Sequence, residues 1–373
     1  MKASVSAFLG LAVLALILAP SAACGRGDRP VPEGRIIGVK IYEHPGPFGP
    51  LVREWRDLGV NTAFVSEALA KNKEFRSLAR TNTIALFIIY PVFQNPEALK
   101  DNPGLAAVTA EGRTAREEWV EFVCPSRDDY LEAKAEHLRS LVAECDPEAI
   151  SLDFIRFFVF WEKVYPERAS GSLPQTCFCP VCLDRFSKEM AIGIPDGLAT
   201  TPETARWILE THPAEWTEWK CRVIARTVES LAAAAREAKP DVLVNIHAVP
   251  WRKDDFGGAA RTVAGQDAAR LASLSDLISP MAYHHMVLRP PAWVHEVAVD
   301  FAAQTGRPVL PSIQVAEAYI DKPLPAEEFR SALVAALEPP SRGVVLWSWD
   351  ALAKSPEKKD IFRSIAGLKN RLR

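Results

Sequence analysis

Ala149-Ile150-Ser151-Leu152-Asp153-Phe154-Ile155-Arg156-Phe157 is the stretch whose reading decides the fold. From Ala149 to Leu152, small or polar side chains alternate with apolar ones, the period of two that marks a strand. Ile150 and Leu152 point one way, Ser151 and Asp153 the other. A face of small residues suits the crowded interior of a closed barrel, and a carboxylate stands where the strand ends. In a (β/α)8 barrel that end is the catalytic face. The plain alternative for Asp153 is a helix cap. The long aromatic-rich segment that follows favours chemistry, because loop invested around a rigid scaffold usually serves a site.

Seven further strand-like runs accompany this one: Ile36–Tyr42, Thr62–Val65, Ile84–Phe93, Val242–Trp251, Leu277–Tyr283, Pro308–Val315 and Gly343–Trp349. Each is rich in Val, Ile or aromatics, as strands prefer. Helical spacing separates them. Leu131, Ala135, Leu138, Val142 and Cys145 share one helical face, behind a capping box at Ser126 and Asp129. Residues 203–239 read as helix broken at His212-Pro213, and Phe329, Leu333 and Leu337 form another stripe. Eight strands alternating with helices imply a parallel sheet closed into a TIM barrel. Two long insertions, Gln94 to Pro125 and Phe158 to about Thr200, leave the carboxyl ends of strands three and four without obvious helix. No linker or repeat divides residues 36–373, so they read as one (β/α)8 domain.

The first 23 residues read as a signal peptide: Lys2, an apolar run from Ala7 to Ala19, then small residues Ser21-Ala22-Ala23. Cys24 directly after them resembles the lipidated cysteine of bacterial lipoproteins, although Ser21 stands where leucine is usual. Residues 24–35 then form a lipidated tether, and the protein is exported and anchored to the cell envelope. The chain has 373 residues, 48% hydrophobic, with net charge −3, too near neutral to point to nucleic acid. Oligomeric state is not encoded in any feature of the sequence.

The strand ends collect Tyr42, Asp153, Arg156, His247, Trp251, Tyr283, His284, Gln314, Trp347 and Trp349. Flat aromatic faces with amides, imidazoles and carboxylates suit a carbohydrate, whose rings stack on the former while hydroxyls bond the latter. LDFIRF from Leu152, CFCPVC from Cys177, PMAYHH from Pro280 and LWSWD from Leu346 resemble the hypothetical glycoside-hydrolase-like (β/α)8 families. The resemblance implies a strand-four catalytic aspartate, here Asp153. It also implies a departure: related retaining α-galactosidases place their acid on strand six, which here ends in Tyr283-His284-His285. Glycosidic cleavage needs a second carboxyl group. Glu317, just past strand seven, is the first choice, with Glu67, Glu162, Glu43 and Asp350 behind it. Arg156 serves either a substrate oxygen or a structural ion pair. Lys40 faces inward on strand one and needs a partner, for which Asp153 is a candidate.

His44, His247, His284 and His285 also lie near strand ends, so a metal-dependent hydrolase is the runner-up. A non-catalytic sugar-binding lipoprotein is the third reading. No cofactor is expected beyond a possible structural zinc. Cys177, Cys179 and Cys182, with Cys124 from the preceding insertion, could hold it. Disulfides fit the exported context slightly better. Either linkage would staple the two insertions together.

Overall fold

The computed structural model describes residues 34–307 and 309–370. Residues 1–23, Cys24 and Pro308 lie outside the described residues. Eight parallel strands form the expected barrel: β1 Ile36–Ile41, β2 Thr62–Val65, β3 Ala85–Pro91, β4 Ala149–Asp153, β5 Leu243–Ala248, β6 Leu277–Pro280, β7 Ser312–Gln314 and β8 Gly343–Trp347. Their order around the sheet is β6-β5-β4-β3-β2-β1-β8-β7. Isolated bridges, Ile278 with Val309 and Met281 with Ser312, bring β6 against β7 and nearly close the ring.

The alternation read in the sequence places two cores. Inside the barrel, Ile36, Phe64, Phe87, Leu243, Leu277 and Val345 pack around small Ala149. Outside, the opposite faces of the strands meet the helices, and Trp55 of helix Phe48–Leu58 packs edge-on against Trp349 of helix Trp349–Ala353 at 5.7 Å. Burial of each such apolar side chain contributes roughly 1.5–3 kcal/mol. Gly343 lets β8 start against β1: its φ is 150°, and a Cβ there would stand 1.8 Å from the Ile36 carbonyl oxygen. Only glycine tolerates that approach.

Helix Asp128–Cys145 begins without a side-chain cap, so the expected capping box at Ser126 does not form. Ser126 Oγ instead accepts from Cys182 Sγ at 3.3 Å. The break at His212 separates helices Thr201–Thr211 and Pro213–Ala238 as expected. The insertions carry more regular structure than their sequences suggest. The first contains helix Pro96–Asp101 and a small hairpin, Arg116–Glu117 with Val120–Glu121. The second contains helix Pro180–Met190, started by a proline whose fixed φ suits a first turn.

Candidate active site

Asp153 ends β4, and the backbone then turns sharply. Phe154 adopts φ 50°, the left-handed region that costs an L-residue about 1–3 kcal/mol and often marks functional sites. The turn lets the Phe154 N–H donate to Asp153 Oδ1 at 2.8 Å. Asp153 opens into a cavity of about 340 Å³ at the carboxyl end of the barrel. Lys40 and Trp347 line it from β1 and β8, Tyr42 and Tyr283 from just past β1 and β6, and Arg156 and Glu162 from the segment after β4. The Tyr283 and Trp347 rings stack with centroids 4.7 Å apart.

A buried polar chain lies beneath. Lys40 Nζ donates to Tyr283 OH at 3.1 Å and to His247 Nδ1 at 3.2 Å. With Nδ1 accepting, the ring proton sits on Nε2, which donates to Ser151 Oγ at 2.8 Å. Asn245 Nδ2 donates to the same oxygen at 2.6 Å, and Ser279 Oγ donates to Asn245 Oδ1 at 2.9 Å. Burial lowers Lys40 to about 8 against the opposing pull of the Asp153 charge. His247 is pushed down to about 3, first by burial and then by the Lys40 cation.

Glu162 is the second carboxyl group in the cavity. It sits in the 3-10 turn Trp161–Lys163 and is 8% exposed. Burial raises it to about 7, although the Arg156 cation pulls the other way. Its Oε2 has no hydrogen-bond partner among the described residues, and neither has Arg156 Nε. Arg156 is fully buried, its guanidinium about 5 Å from the rings of Phe122 and Phe154. Burial lowers its pKa, while the charges of Glu162 and then Asp153 sustain the cation.

Asp153, Tyr42, Arg156, Tyr283 and Trp347 therefore share one cavity, with His247 one layer below. Five other expected site residues do not line it. Glu317 is exposed, and its carboxylate accepts from the Leu324 N–H at 3.4 Å. Trp349 opens helix Trp349–Ala353, so its ring turns outward onto Trp55. Trp251 packs against Phe256 in a separate apolar recess. Gln314 is spent internally, accepting from Met286 N and donating to Ala316 O. His284 is fully buried, 3.2 Å from Glu328. Of the other carboxyl candidates, Glu67 pairs with Lys71 and His137 at the surface. Trp119, Trp161, Met281, Met286 and Tyr319 also line the cavity, and none of them is among the expected site residues.

The histidines do not converge. His44 packs on Phe48, His247 stays in the barrel, and His284 and His285 both turn to Glu328. Among the described residues, the metal-ligating side chains that do converge are Cys124, Cys177, Cys179 and Cys182. All four are buried, and their sulfurs lie within 4.8 Å of one another. All six cysteines among the described residues are free. Cys124 Sγ lies 3.4 Å from Cys179 Sγ and 3.3 Å from Cys182 Sγ, far beyond the roughly 2.05 Å of a disulfide. The lean towards disulfides is thus not met, but the expected junction of the two insertions is. The backbone N–H groups of Val108 and Ser126 donate to Cys177 and Cys124 sulfurs. Hydrogen bonds from the neighbouring thiols hold Cys179 far below the ordinary thiol range.

An eight-stranded parallel barrel with a cavity at its carboxyl end defines a TIM-barrel protein, and solved structures of this shape include glycoside hydrolases. The glycoside hydrolase domain of PgaB (BpsB) from Bordetella bronchiseptica matches with TM-score 0.66 at 14% identity, over 88% of this chain and 98% of that one. A β-galactosidase from the haloarchaeon Halorubrum lacusprofundi matches with TM-score 0.66 at 13% identity, over 91% of this chain and 58% of the galactosidase. An α-L-fucosidase from Paenibacillus thiaminolyticus matches with TM-score 0.57 at 11% identity, over 90% of this chain and 49% of that one. At these identities the likeness is one of fold. The sequence matches no protein-family model and no curated protein.

Proposed function

We propose that this chain is a glycosidase acting on an oligo- or polysaccharide, with Asp153 as the catalytic carboxylate and Glu162 as the acid. The observation that carries the reading is the pair of carboxyl groups in one cavity with contrasting surroundings. Glu162 is desolvated, raised to about 7 and free of a hydrogen-bond partner at Oε2, so it can hold a proton for a leaving group. Asp153 accepts a backbone hydrogen bond and faces the Lys40 and Arg156 cations, so it can meet positive charge developing on a sugar ring. The stacked Tyr283 and Trp347 rings offer an apolar platform for that ring. The glycoside hydrolases of similar fold add support, and the scattered histidines give the metal-dependent alternative none.

The test is a screen of aryl glycosides and oligosaccharides with wild type, repeated on any hit with Asp153→Asn. The variant keeps shape while removing charge, so turnover falls at least about a hundredfold and sugar binding survives. Full activity in the variant would remove Asp153 from the mechanism.

The four clustered thiols fit a structural zinc ion. Tetrahedral zinc with bonds of about 2.3 Å sets sulfurs roughly 3.8 Å apart, within the observed spread. The ion would hold Cys124 of one insertion against Cys177, Cys179 and Cys182 of the other. We also propose that Cys24 carries lipid and anchors the protein to the envelope. A native N-terminal peptide that begins elsewhere, or begins at an unmodified Cys24, would rule the anchor out.

A further inference from the structure

Trp119 and Tyr319 lie 200 residues apart in sequence, yet Trp119 Nε1 donates to Tyr319 OH at 2.8 Å. Trp119 stands in the turn of the hairpin that follows β3, and Tyr319 in the segment that follows β7. Around the barrel, β3 and β7 are four strands apart in either direction. Their loops therefore face each other across the mouth, and this hydrogen bond crosses it above Asp153. Both residues line the cavity.

Among the described residues, the ring contacts of Trp119 and Tyr319 themselves lie towards the segment after β4. Phe154 packs edge-on against Trp119 at 6.1 Å, and Phe160 against Tyr319 at 5.5 Å. Lys163 lies 5.9 Å from the Tyr319 ring and pairs with Glu118. Three of these residues, Glu118, Phe154 and Tyr319, hold left-handed φ values of 51°, 50° and 62°. Such strain persists only where surrounding contacts enforce it. All these ties belong to the loops after β3, β4 and β7. On the opposite side, towards β8 and β1, Tyr42 remains 42% exposed.

We propose that the Trp119–Tyr319 contact is a clasp that makes the cavity blind on its β4 side, so the site accepts the end of a glycan chain. A chain entering past Tyr42 could reach Asp153, but it could not continue out beneath the clasp. This rests on the glycosidase reading and adds to it the position of the bond cut. A terminal sugar would be released, not an internal fragment. The half-exposed Trp119 indole would stack on the sugar beside the cleavage point.

The clasp can be read without substrate. With tryptophan labelled in the indole nitrogen, the Trp119 N–H signal is assigned by its loss in Trp119→Phe. Its hydrogen exchange in wild type is compared with that in Tyr319→Phe, which keeps the ring and removes the acceptor. We expect exchange about tenfold slower in wild type, the scale of one ordinary hydrogen bond. Equal rates would mean that no clasp exists. The functional arm uses hexasaccharides labelled at the reducing end, in α-1,4, β-1,4 and β-1,6 linkage. Wild type should shorten any cleaved chain one sugar at a time, and Trp119→Ala should yield internal fragments from the first turnovers. Internal fragments from wild type would overturn end-selection. If wild type cuts no chain and no aryl glycoside, the glycosidase reading fails, and the clasp is judged on the exchange rates alone.

Discussion

Asp153 and Glu162 carry the same functional group and differ in their surroundings, and that difference assigns their roles. Glu162 is raised to about 7 chiefly by burial, so its acid form predominates below pH 7 and is lost as pH rises through it. A glycosidase using it as proton donor should show turnover falling with that limb. In Glu162→Gln no proton can be given. Turnover of a poor leaving group should drop about 10²–10⁴-fold, and the limb near pH 7 should vanish from what remains. Dinitrophenyl glycosides, whose leaving group needs no proton, should retain most of their rate. A pH profile unchanged by the substitution would return Glu162 to a structural role. The sequence could nominate Glu162 but not rank it first, because the ranking depends on its burial by the folded loop, which outweighs the opposing Arg156 cation. Glu317 looked better placed on distance from a strand end alone, yet the chain after β7 carries it to the surface.

At the scale of elements, the strands were legible and the depth of side chains was not. Runs rich in Val, Ile and aromatics located all eight strands within a few residues, because parallel strands buried on both faces read as near-continuous apolar runs. Alternation cannot say where a strand stops and the next helix begins. Trp349 follows Trp347 in the alternation, but Ser348 caps a new helix, so the two rings part company. The hairpin carrying Trp119 left no periodic signal, since each arm is only two residues long. The junction of the two insertions was visible as cysteine spacing, and its metal content is open to direct measurement. Purified protein should contain about one zinc per chain, released on thiol modification, as a tetrathiolate site requires. Cys182→Ser should lose the metal and lower the melting temperature, because zinc-free thiols no longer hold the insertions together. A metal-free wild type with four titratable thiols would reject zinc.

Four of the eight strands meet in the polar chain around His247. Its ring joins Lys40 of β1 to Ser151 of β4, beside Asn245 of β5 and Ser279 of β6. A second ring proton would have to enter at Nδ1, where the Lys40 ammonium already donates. Burial and that cation hold His247 at about 3, against about 6.5 in an unfolded chain. As pH falls below 6.5, the unfolded chain takes up a proton that the folded barrel refuses until about pH 3. The stability contributed is therefore complete above pH 6.5 and drains away as pH falls. From pH 6.5 to 5.0 the loss from this one group amounts to roughly 1.5 kcal/mol. His284, held at about 4 chiefly by burial, works in the same direction, so the total slope is steeper. The measurement is urea unfolding at pH 6.5 and 5.0 for wild type and His247→Asn. Asparagine does not titrate, and although it lowers stability at both values, the informative quantity is the difference between them. That difference should shrink by the His247 share, while the His284 share persists. An identical difference in both proteins would show that the barrel does not exclude the proton, and that Lys40 and His247 do not share the bond that joins β1 to β5.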